Sequence, residues 1–255
     1  MTSADTQLSS STQYRPMTLV DPQFRVFVVS LPRCGSSLLT GIVQRLGVTI
    51  IETSEDDEAK QKRSEQYANR LGEYVPNEEF HEITREPWVN WMQLMETPYS
   101  GCKVIINPDL CRGGMLWQAM IYNPAKVLML KRDPEEIRQS QEAFYRKPRA
   151  PQLGETGFED QAELARAFFR TALVQMEMRL KQRAALSNAA RFGDDSVKPF
   201  DYQIIEHRKL IDKPLETTRK IAAFIQAAPD KIEFAAAKVD RSKVRFLKED
   251  LEEGI

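Results

Sequence analysis

Apolar residues recur along the chain in two rhythms, and their alternation predicts the elements. Arg25 to Ser30 (RVFVVS) is a short run of β-branched and aromatic residues, the pattern of a strand buried on both faces. After the loop LPRCGSS, residues Leu38, Leu39, Ile42, Val43 and Leu46 fall at helical spacing, and Gly47 stops the helix. Val48 to Ile51 reads as the next strand. Glu55 to Leu71 is charged and reads as a surface helix, followed by an irregular stretch from Gly72 to Pro87. Cys102 to Ile106 (CKVII) is a strand ended by Asn107-Pro108, and Lys126 to Lys131 (KVLMLK) is another. Asp133-Pro134 opens a helix, with the aspartate as N-cap and the proline at the first helical position. A loop from Pro148 to Gly157 leads to a long helix from Asp160 to Asn188. Phe200 to Ile205 is a further strand, Leu215 to Ile225 a helix, and the tail from Ile232 is partly helical and basic.

Strands alternating with helices predict an α/β fold with a mostly parallel sheet. With 255 residues and 42% hydrophobic content, the chain can bury the core of one such domain, expected over 23–255, behind a polar arm at 1–22. The arm lacks the apolar stretch of a secretory signal, and no run approaches the ~20 apolar residues of a membrane span. The net charge of −1 argues against a general nucleic-acid or membrane surface. An anionic ligand would have to be held by a few well-placed groups. Cys34, Cys102 and Cys111 have the spacing of neither a zinc site nor a disulfide framework, and read as reduced thiols of a cytoplasmic protein. With only His81 and His207, no histidine-rich metal site is expected.

The chemistry concentrates in VVSLPRCGSSLL, Val28 to Leu39. A strand, a glycine-bearing turn and a helix N-terminus together favour a bound anion, through exposed N–H groups and the helix dipole. Gly35 lets backbone approach a phosphate closely, Ser36 and Ser37 add hydroxyl donors, and Arg33 adds a fixed charge. Against the nucleoside-triphosphate loop G-x-x-x-x-G-K-[ST], only Gly35 and Ser37 fit, and Ser36 stands where the lysine would be. A cysteine phosphatase would need an arginine where this chain has Thr40, so Cys34 reads as a small packing residue.

PRCGSSLL resembles the 5′-phosphosulfate-binding loop of the sulfotransferase family, P-[KR]-x-G-[ST]-[ST]-x-[LV]. Arg33, Gly35, Ser36 and Ser37 fill its positions, with Cys34 at a usually small position and Leu38 beside them. A second motif follows the strand Lys126 to Lys131. RDPEEIRQS is similar to the family's 3′-phosphate motif, an R-[DN]-P with a serine eight positions after the arginine, here Arg132 and Ser140. The resemblance implies a sulfotransferase of the P-loop nucleoside-triphosphate-hydrolase-like fold, a mostly parallel sheet flanked by helices. It also implies 3′-phosphoadenosine 5′-phosphosulfate as donor, adenosine 3′,5′-bisphosphate as product, no metal, and a small-molecule acceptor bearing a hydroxyl or amine. Arg33 would serve both nucleotide binding and catalysis. FDYQIIEHRKLIDKPLETTRKIAAFI, Phe200 to Ile225, is similar to the family's late strand and helix, with His207 in place of an aspartate.

The family's catalytic glutamate follows N-P-x-G-[FY]-[FY]-E, which NEEFHE, Asn77 to Glu82, loosely resembles. Glu82 is the first candidate base and His81 the second. Arg241, Lys243 and Arg245 hold the place of a basic stretch that closes over the nucleotide, without the R-K-G signature. Trp88, Trp91, Met92 and Trp117 are candidates for an apolar acceptor pocket or for core packing. Two other readings stand beside the transferase: a nucleotide kinase of the same fold, and a sulfotransferase-like protein that binds nucleotide without transfer. Oligomeric state and the acceptor itself are not encoded in any motif.

Overall fold

The computed structural model describes residues 24–51, 93–105, 124–145, 158–190, 198–241 and 244. Five parallel strands make one sheet: β1 (Arg25–Ser30), β2 (Thr49–Ile50), β3 (Ser100–Ile105), β4 (Ala125–Lys131) and β5 (Phe200–Glu206), in the order β2-β3-β1-β4-β5. Among the described residues the α-helices are α1 (Ser36–Arg45), α2 (Pro134–Tyr145), α3 (Phe158–Ala190), α4 (His207–Asp212), α5 (Pro214–Ile225) and α6 (Ile232–Ala236). The expected α/β class with a parallel sheet flanked by helices is the one observed.

Strand β1 lies at the centre because its unbroken apolar run suits a strand covered on both faces. Val26, Phe27, Val28 and Val29 have no exposed surface, and Val127 to Leu130 of β4 have none either. Strand β3 starts at Ser100, two residues before the expected Cys102. Its pairing with β1 requires a glycine there, since a Cβ on Gly101 would lie 2.3 Å from the Val26 carbonyl oxygen. Helix α1 buries Leu39, Ile42 and Val43, and packs against β1, β3, α5 and α6. Helix α2 packs on α3, which also contacts β5.

The N-terminus of α2 forms as its sequence predicts. Asp133 Oδ1 accepts from the N–H of Glu135 at 2.8 Å and of Glu136 at 3.4 Å. Helix α4 was not among the expected elements. Its six residues include three charged ones, Arg208, Lys209 and Asp212, and only His207, Leu210 and Ile211 are buried. A segment so short carries too little periodicity to distinguish it from a turn.

The chain leaves β1 toward β2 and β3 on one side, then returns to β4 and β5 on the other. Between β1 and β4 the direction of winding reverses. Open α/β sheets bind ligands in the crevice beyond the carboxyl ends of such a strand pair. Both motifs singled out in the sequence lie there, one directly after β1 and one directly after β4.

Candidate functional site

The loop after β1 turns through two residues in the left-handed region, Arg33 at φ 66° and Gly35 at φ 87°. An arginine rarely adopts that conformation, and strained backbone of this kind concentrates at ligand-binding turns. Gly35 forms the N-cap of α1, and its carbonyl accepts from the N–H of Leu38 at 3.1 Å and of Leu39 at 3.4 Å. No side chain caps the helix. The first N–H groups of a helix have no intrahelical acceptor, so those at Ser36 and Ser37 are suited to an anion.

The second segment reaches the loop through two of its side chains, Arg132 and Ser140. Arg33 Nε donates to Ser140 Oγ at 3.2 Å, joining the β1 loop to α2. Arg132 Nη1 donates to the Arg33 carbonyl at 3.0 Å, and its Nε donates to Glu136 Oε2 at 2.8 Å. Arg132, Glu136 and Ser140 are buried. The Arg132–Glu136 pair fixes the guanidinium beneath the loop. Removing one partner of a buried pair leaves the other charge uncompensated, at a cost of about 3–5 kcal/mol. Arg132 therefore carries structure as well as charge.

Cys34 is buried, and its thiol is pushed up to about 12, mainly by burial, with the Arg132 cation pulling the other way. A thiol held protonated is no nucleophile, in keeping with its reading as a packing residue. Ser36 is also buried, its carbonyl accepting from the Thr40 hydroxyl at 2.8 Å. Leu38 packs against the core.

Two residues outside the two phosphate motifs complete the loop's surroundings. His207, the first residue of α4, lies under Gly35, where a Cβ would stand 2.9 Å from its Cδ2 and 3.0 Å from its Nε2. Burial above all, and the nearby Arg132 and Arg208 cations, lower its pKa to about 3, so the imidazole is neutral. Its Nδ1 lies 3.9 Å from Glu136 Oε2, beyond hydrogen-bond range. The second is Lys103 of β3, which is buried and donates from Nζ to Ser37 Oγ at 3.4 Å. Its signal in the sequence was a lone charge inside an apolar strand (CKVII), a position where lysine is rare unless it has a partner.

The structure thus brings Arg33, Cys34, Gly35, Ser36, Ser37, Leu38, Arg132 and Ser140 together at the switch point. It pairs Arg241 with Asp212 of α4 instead, at 3.8 Å and with the guanidinium largely exposed. His81, Glu82 and Lys243 lie outside the described residues, as do Trp88, Trp91, Met92 and Trp117. Among the described residues no helix is long and apolar enough to cross a membrane.

No protein-family model and no curated protein matches the sequence. Several solved structures are similar to the chain. One is a sulfotransferase from Alicyclobacillus acidocaldarius, at 15% identity over 90% of this chain and 89% of that one, with a TM-score of 0.44. Another is the sulfotransferase domain of the Synechococcus PCC 7002 olefin synthase, at 15% identity over 91% and 83%, with a TM-score of 0.40. A third is a retinol dehydratase in complex with androsterone and the inactive cofactor PAP, at 16% identity over 92% and 71%, with a TM-score of 0.40. The chain is similar to sulfotransferases of known structure.

Proposed function

We propose that the chain is a sulfotransferase, moving a sulfuryl group from 3′-phosphoadenosine 5′-phosphosulfate to a hydroxyl or amine of a small-molecule acceptor. One observation carries this reading: the loop after β1 and the segment after β4 are tied by Arg33 to Ser140 and by Arg132 to the Arg33 carbonyl. A nucleotide with phosphate on both its 5′ and 3′ positions needs two anion subsites at a fixed separation, and two linked basic segments suit that need. In this reading the loop N–H groups, Arg33, Ser36 and Ser37 hold the 5′-phosphosulfate, and Arg132 and Ser140 hold the 3′-phosphate.

Transfer asks for alignment of the acceptor atom with sulfur, removal of its proton, and stabilisation of charge growing on the departing phosphate oxygen. Arg33 and the α1 N-terminus would supply the last of these. Glu82 is the proposed base, with His81 second. The imidazole of His207 is neutral but packed beneath Gly35, a supporting place rather than that of a proton acceptor.

A radiolabelled sulfuryl donor offered with a panel of phenols, aliphatic alcohols and amines tests the activity. Wild-type protein is expected to label at least one acceptor. Glu82→Gln is expected to slow transfer about 100-fold or more, while adenosine 3′,5′-bisphosphate binding stays within about twofold. Full transfer by Glu82→Gln would move the base elsewhere. Tight bisphosphate binding by the wild type without transfer to any acceptor would contradict the transferase and favour a binding protein.

A further inference from the structure

Lys103 occupies an unusual place. Its neighbours on β3, Cys102 and Val104, are buried apolar residues, and Lys103 itself is only 2% exposed. It pairs across the sheet with Val28 in the middle of β1, and reaches Ser37 in the first turn of α1. Burying an ammonium is costly, and proteins keep such groups where they are bound to partners or to function.

The location has a meaning within this topology. In metal-dependent phosphate loops of this fold, magnesium is held between the loop's Ser or Thr and an aspartate from another strand. In this chain, the hydroxyl at the loop serine position meets a lysine from the strand next to β1. An ammonium there already supplies positive charge beside the anion and would repel a divalent cation at the same hydroxyl. A hydroxyl that accepts from an ammonium keeps its own hydrogen for donation.

We infer that Lys103 is a positioning residue for the 5′ end of the bound nucleotide: it orients the Ser37 hydroxyl toward the anion and takes the electrostatic place of a metal at that hydroxyl. The inference rests on the sulfotransferase reading above, and the experiment separates the two. Calorimetric titrations compare adenosine 3′,5′-bisphosphate with 3′-AMP, which lacks the 5′-phosphate, on wild type, Lys103→Met, Ser37→Ala and the double variant. Lys103→Met is expected to weaken bisphosphate binding about 10- to 100-fold while 3′-AMP binding stays within about twofold. A merely structural lysine would weaken both ligands alike. Because Lys103 acts through Ser37, the double variant is expected to lose little more than the worse single variant.

Unchanged bisphosphate binding in Lys103→Met, or fully additive losses, would overturn the inference alone. Failure of the wild type to bind bisphosphate would overturn the sulfotransferase reading as well. A further measurement needs no variant: the wild-type affinity for bisphosphate is expected to stay within about twofold between EDTA and millimolar magnesium. A rise of about tenfold with magnesium would place a metal where the lysine is proposed to act.

Discussion

Gly35 and His207 make a tight contact that depends on both residues. A methyl group on Gly35 would meet the imidazole at 2.9 Å, and the backbone there has φ 87°, which side-chain-bearing residues rarely adopt. Gly35→Ala is therefore expected to destabilise the fold by at least about 1–3 kcal/mol in denaturant unfolding. Part of that cost is the clash, so the same substitution in a His207→Ala background is expected to cost about 1 kcal/mol less. Equal costs in both backgrounds would mean that the imidazole does not press on the loop. His207 also predicts a pH dependence. Its pKa falls from the ordinary 6.5 to about 3, so below 6.5 the unfolded chain takes up a proton that the folded protein refuses. The stability owed to the neutral imidazole is complete above pH 6.5 and is lost as pH falls toward 3. Urea unfolding of wild type and His207→Asn across this range is expected to show the wild-type advantage shrinking with acid. An advantage independent of pH would contradict a neutral buried imidazole.

Among the elements, the start of α2 does two things at once. Asp133 caps the helix, and the same turn presents Glu136 to Arg132. Asp133→Ala is expected to cost about 1 kcal/mol in denaturant unfolding, and Asp133→Asn clearly less, since asparagine caps about as well. Equal losses would show that the carboxylate charge, not the cap, matters. This cap was legible in the sequence because it is local, as were β1 and the glycine turn, each written in a few adjacent residues. The early start of β3 was not, because Ser100 and Gly101 have no strand signature of their own. They join the ladder because β1 approaches too closely for a side chain at 101. Helix α4 escaped notice for a related reason: its buried face of His207, Leu210 and Ile211 acquires meaning only once β5 delivers it to the loop.

At the scale of the whole molecule, the strand order assembles the candidate site. Arg33 and Ser140 are 107 residues apart, and Lys103 and Ser37 are 66 apart. Motif spacing singled out the members of the first pair but could not join them, since contact between them follows from β4 lying beside β1. It singled out neither Lys103 nor His207 as a site residue, since Lys103 reaches the loop only through β3 and His207 only through the end of β5 that delivers it. The central claim is that a nucleotide phosphorylated at both 3′ and 5′ positions binds across the ends of β1 and β4. Calorimetric titration of the wild-type protein with adenosine 3′,5′-bisphosphate, 5′-AMP and ATP with magnesium tests it most directly, with Arg33→Ala as the variant because Arg132 is bound into a buried ion pair. The expected result is tight binding of the bisphosphate alone, weakened about 10- to 100-fold in Arg33→Ala. Preference for ATP, or equal binding of 5′-AMP and the bisphosphate, would contradict the paired phosphate sites.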